Sequence, residues 1–122
     1  MIHLSRREFV ELVLNAYEEV PPRVRRALRN VAVTVEEWPD PDEVDLPAGE
    51  ASLFGMYVGV PLPERQGCDP VLPDRIVIFR QPILRSCASR REAEREIRTT
   101  LLHEVGHCLG MGEEDLDRLG YG

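Results

Sequence analysis

The stretch from Ser89 to Leu109 constrains this chain most, because it reads as one long helix and a chain of 122 residues has room for one modest core around it. Ser89 followed by Glu92 forms a capping box at its start, and Gly110 is a natural C-cap at its end. At 100° per residue, Leu101, Leu102, Val105 and Leu109 gather on one arc, while Glu96, Thr100, His103 and His107 fall on the other side. The helix is therefore expected to pack by its apolar arc and to offer the histidine face to something else.

The rest of the chain supplies partners for that helix. Ser5 and Glu8 make a first capping box, and Phe9, Leu12, Val13, Ala16, Tyr17 and Val20 recur at helical spacing, so a first helix runs to Val20, where Pro21 and Pro22 stop it. Pro22 opens a short second helix through Leu28. Val31 to Val35 alternates as a half-buried strand does, and Leu53 to Val60, weakened by Gly55 and Gly59, fits a bulged or edge strand. Arg75 to Phe79 is continuously apolar after its first residue and reads as a more buried strand that ends before Pro82. Between them, Pro39 to Pro47 and Pro61 to Pro73 read as loops, and a final short turn or helix is expected around Leu116 and Leu119. One domain over residues 1–122 is the expectation.

Charge and composition narrow the partners. The net charge is -7, and the fifteen positive residues, all Arg, are interleaved with Glu and Asp, which argues against nucleic acid. Arg90, Arg91, Arg95 and Arg98 lie among Glu92, Glu94 and Glu96 and read as a solvated, paired helix surface. No apolar run has the roughly 18 residues of a membrane span, and no apolar leader opens the sequence, so a cytoplasmic protein without a membrane partner is expected. Cys68, Cys87 and Cys108 have no regular spacing and read as buried thiols, with a Cys68 to Cys87 bridge as the alternative.

The chemistry lies in His103-Glu104-Val105-Gly106-His107, an H-E-x-x-H pattern within the long helix. Positions i and i+4 are neighbours on a helix, so both imidazoles can reach one zinc ion at about 2.0 to 2.1 Å. Glu104 is turned about 100° from His103 and is the candidate general base toward water at that metal. Gly106 in a helix interior costs about 1 kcal/mol relative to Ala, so something is expected to approach closely there. The third residue after Gly110 is Glu113, a carboxylate that completes a two-His, one-carboxylate zinc site with an open position. Glu114 and Asp115 are the alternative ligands, and a solvated, helix-capping acidic turn is the alternative role for Glu113, Glu114, Asp115 and Asp117. Tyr57 and Tyr121 are considered as donors to an oxyanion, although packing roles suit both; His3 reads as a surface side chain.

With these motifs in place, the chain resembles the small bacterial zincin-like family of minimal zincins, whose members carry H-E-x-x-H-x-x-G-x-x-D near the C-terminus. Besides the metal helix, Pro61-Leu62-Pro63-Glu64-Arg65 and Leu72-Pro73-Asp74-Arg75-Ile76-Val77-Ile78-Phe79-Arg80 resemble family stretches in the same order. Two departures stand out: Glu113 where the family has Asp, and Cys108 where a third His often follows His107.

The resemblance implies an α+β fold, a few helices on a short mixed β-sheet with the metal-binding helix near the C-terminus. It also implies one Zn²⁺ per chain, held by His103, His107 and Glu113, and hydrolysis of a peptide or protein substrate assisted by Glu104. Two rivals stand beside that reading, a non-catalytic zinc-binding interaction module and a zinc amidohydrolase acting on a small molecule. Glu104 separates the first rival, since a purely structural zinc site has no use for a carboxylate aimed at water.

Overall fold

A computed structural model describes residues 1–40, 54–59 and 74–110. Along them run α1 (Arg6–Glu18), α2 (Pro22–Ala27), β1 (Val31–Glu36), β2 (Gly55–Val58), β3 (Asp74–Phe79), α3 (Arg80–Ser86) and α4 (Arg90–Cys108). The described strands form one mixed sheet in the order β1-β3-β2, with β1 parallel and β2 antiparallel to β3. This is the α+β arrangement expected of the chain.

The central place of β3 follows from its sequence. Ile76, Val77, Ile78 and Phe79 are all fully buried, as an uninterrupted β-branched and aromatic run requires once both faces of a strand are covered. Ile76 and Ile78, with Tyr57 of β2, face the cluster formed with the helices, while Val77 and Phe79 join Met56 on the other face. β1, by contrast, is half-buried along most of its length and lies at one edge.

Helix α1 starts where Ser5 directs it. The Ser5 hydroxyl accepts from the Glu8 amide at 3.1 Å, and the Ser5 amide donates to Glu8 Oε1 at 3.0 Å, so two donors that an α-helix leaves unmatched are satisfied. Phe9, Leu12, Val13 and Ala16 then bury one face. The helix ends at Glu18, two residues before the expected stop, because Glu19 and Val20 tighten into turn bonds ahead of the proline pair.

Helix α4 carries only half of its expected capping box. Ser89 Oγ accepts from the Glu92 amide at 3.2 Å, but the Glu92 carboxylate takes the Ala88 amide, at 2.6 Å, rather than that of Ser89. Ala93, Ile97, Leu101, Val105 and Cys108 line the buried side. The chain turns out of the helix at Gly110, whose φ of 79° is a left-handed conformation that favours glycine. The outer Arg and Glu residues of α4 pair only partly within the helix: Arg90 meets Glu94, but Arg98 reaches Glu19, the residue that caps α1, at 2.6 Å, an exposed link between helices.

Helix α3 is not among the expected elements, since Pro82 reads as a breaker. It begins directly after β3, and Pro82 falls in its first turn, where the missing N–H would have no partner in the helix. The junction of β1, α1 and α3 is held by Glu37, which accepts from Arg80 at 2.5 Å, Gln81 at 3.0 Å and Arg6 at 2.8 Å. The Gln81 amide, and then the two guanidinium groups, hold the Glu37 carboxyl below its ordinary range.

A carboxylate depressed in this way adds stability above its unfolded pKa and loses it as pH falls through the lower folded value. Because Glu37 and Arg6 are substantially exposed, solvent screening keeps the contribution small. Glu37→Gln is expected to cost about 0.5 to 1 kcal/mol at neutral pH. The gap between the two proteins should close in acid, which urea melts at about pH 7 and below about pH 4 would check.

Cys87 is a free buried thiol, so the alternative of a bridge to Cys68 is not realised there; Cys68 itself lies outside the described residues. Burial pushes the Cys87 thiol up, and Glu96 and Glu92 add to the shift, which leaves it protonated and unreactive near neutrality. No helix of the described residues is long and apolar enough to cross a membrane.

Candidate metal centre

The last turns of α4 bring the expected residues together. His103 and His107 meet edge to face one turn apart, with ring centroids 4.5 Å apart and planes inclined at 71°. Ligand atoms of His103, Glu104 and His107 all lie within 4.8 Å of one another. The C-terminal end of a helix also carries partial negative charge, which favours a cation beside it.

Glu104 is the unusual member. Its side chain is 1% exposed, and neither carboxylate oxygen makes a hydrogen bond among the described residues. Oε1 lies 3.3 Å from His107 Nδ1, a contact that attracts only when that nitrogen carries a proton. An ionised carboxylate removed from water costs several kcal/mol unless an opposite charge or a set of donors compensates it. Two imidazoles with their ring nitrogens near such a carboxylate form the nitrogen and oxygen donor set that suits a zinc ion, so the residues present fit the metal.

The surroundings of Glu104 correct one expectation. Thr100, assigned by the helical wheel to the open side with the histidines, is buried at 6% exposure. It faces Gly55 of β2, as does the Glu104 stem: a Cβ placed on Gly55 would fall 2.7 Å from Thr100 Cγ2 and 3.6 Å from Glu104 Cγ. So α4 buries two sides, one in the helix-facing core and one against the strand, while the histidines are only partly buried, His107 with 15% of its side chain exposed. The signal lies in Gly55, a glycine inside an apolar strand, which marks a close backbone approach as often as a bulge.

Other candidates fall away from this centre or beyond the described residues. The Tyr57 hydroxyl is buried and donates to Asp74 at 2.5 Å, which ties β2 to the start of β3 and leaves the packing role in place of the oxyanion one. Cys108 is fully buried in the core cluster, and His3 is exposed. Glu113, Glu114, Asp115, Leu116, Leu119 and Tyr121 lie outside the described residues, as do the Pro61 to Pro73 stretch and its family-like segment.

Comparison with known proteins agrees with the geometry. A family model described as zincin-like metallopeptidase matches residues 28–122. A conserved hypothetical protein from Thermus thermophilus has a similar solved structure, with a TM-score of 0.58 and 29% identity, over 87% of this chain and 94% of that one. No curated protein matches the sequence.

Proposed function

This chain belongs to the zincin-like metallopeptidase family, and from that premise we propose that it is a zinc-dependent hydrolase of peptide bonds in which His103, His107 and Glu113 hold the metal and Glu104 is the general base. The observation that carries the reading is the Glu104 carboxylate, buried and without a hydrogen bond among the described residues, within 4.8 Å of both histidine donors. A zinc ion held there supplies Lewis acidity, polarising a carbonyl and acidifying water.

Glu104 then takes the proton from the attacking water and passes it to the leaving amine. Enclosure favours this cycle through placement, because the buried side chain is held beside both histidines. The reaction asks for a carbonyl that can come up to the histidines beside Glu104, and an extended main chain presents one with the least hindrance. Unfolded proteins and flexible peptides are the fitting substrates.

The experiment is cleavage of denatured protein or a peptide library by zinc-loaded protein, after removal of the metal by a chelator, and after its return. Cleavage that disappears with the metal and comes back with it supports the proposal; cleavage indifferent to the metal rejects it. The ligand assignment has its own check. Glu113→Ala is expected to weaken zinc binding at least about tenfold more than Glu114→Ala or Asp115→Ala, as loss of a direct ligand should. Equal affinities of the three variants in competition with a zinc indicator would remove Glu113 from the ligand set.

A further inference from the structure

Gly55 stands where β2 packs on α4 beside Glu104, and its missing side chain has a consequence for that residue. A Cβ built there would lie 2.7 Å from Thr100 Cγ2 and 2.9 Å from the Val77 carbonyl oxygen, both shorter than real Cβ contacts. Neither neighbour yields easily. The Val77 oxygen is backbone of the fully buried central strand. Thr100 is a β-branched, buried residue whose hydroxyl reaches Glu96 at 3.4 Å, so its methyl is fixed toward the strand. A methyl at position 55 therefore has to shift β2 relative to both α4 and β3.

That movement would reach Glu104, since its Cγ lies only 3.6 Å from the same point. The Glu104 oxygens make no hydrogen bond among the described residues, so its placement in the protein depends on packing against this strand more than on polar partners. His103 and His107 are only partly buried on α4 and are not among the closest contacts of this point. We propose that Gly55 is a positioning residue for Glu104: with Thr100 it sets the gap between β2 and α4 and so holds the carboxylate toward the metal. The inference rests on the reading of Glu104 as the proton acceptor.

The test is Gly55→Ala in the zinc-loaded full chain, alone and combined with Thr100→Ser or with Glu104→Gln. Gly55→Ala is expected to retain its zinc and to lose on the order of 10- to 100-fold in kcat/KM, with the larger part in kcat, as a small misplacement of a catalytic group does. In a Glu104→Gln background the same change should cost little further, because the group it misplaces is already disabled. Thr100→Ser removes Cγ2 and keeps the hydroxyl, so it should restore part of the loss. Should Gly55→Ala fail to fold alone, the Gly55→Ala, Thr100→Ser chain carries the same comparison. A loss of equal size with and without Glu104, or no loss, overturns the proposal.

If the wild-type chain cleaves no peptide, it is the hydrolase reading that fails. The positioning of Glu104 is then decided by the visible spectrum of the cobalt-loaded protein. Gly55→Ala must move the absorption bands as Glu104→Gln does, and an unmoved spectrum contradicts it.

Discussion

Glu104→Gln is expected to lower turnover by about 10²- to 10⁴-fold, the usual contribution of a general base, while zinc binding and thermal stability hardly change. Gln keeps the size of a side chain that is fully enclosed between α4 and β2, so no cavity opens. It removes the negative charge whose burial has no hydrogen bond to offset it among the described residues, so the fold loses no ion pair of known strength. What disappears is the proton acceptor. Steady-state cleavage of a peptide substrate, read beside metal content and a thermal melt, checks all three expectations together. Turnover near that of the wild type would remove Glu104 from the mechanism, and a large loss of zinc would make it a ligand instead of a base.

The second large effect concerns the metal itself. His103→Ala and His107→Ala are each expected to abolish stoichiometric zinc binding, because one imidazole and a carboxylate leave too few donors for a stable site. Neither side chain belongs to the fully buried core, His107 keeping 15% of its side chain exposed, so their truncation should leave the fold standing. The zinc-dependent rise in melting temperature should vanish with them. Bound ligand at about 100 times its Kd stabilises by about 2.7 kcal/mol, a shift readily seen in a melt with and without metal. Zinc retained at full stoichiometry in either variant would show that the ion sits elsewhere.

Most of the scaffold around this centre is legible in the sequence because its signals are local. Ser5, Ser89 and Gly110 mark helix ends by what their own side chains and backbones can do, and the helices begin and end within two residues of those marks. The run from Ile76 to Phe79 announces a strand covered on both faces, and it is the centre of the sheet. The i, i+4 histidines need only a helix to bring them together, and they are together.

What sequence reading misses depends on contacts between distant segments. The burial of Thr100 needs Gly55, which comes from a strand far away in the chain, and a helical wheel drawn for one helix has no knowledge of a second packed face. Helix α3 is hidden because Pro82 breaks a helix interior but is harmless in a first turn, and the start at Arg80 is set by where β3 ends. Glu92 takes the Ala88 amide over that of its cap residue, a difference of one donor that capping patterns do not resolve. The Tyr57 hydroxyl is open to a catalytic role in the sequence, and only the fold brings the buried Asp74 carboxylate beside it.

A crystal structure of the zinc-loaded protein, with anomalous signal at the zinc edge, tests most directly whether zinc at His103 and His107 is catalytic. The prediction is a single peak bound by both histidines and one carboxylate from the acidic segment after Gly110, with a coordination position left open beside Glu104 and toward β2. A zinc ion closed off by four protein ligands, or one that has Glu104 itself in its coordination shell, would contradict it.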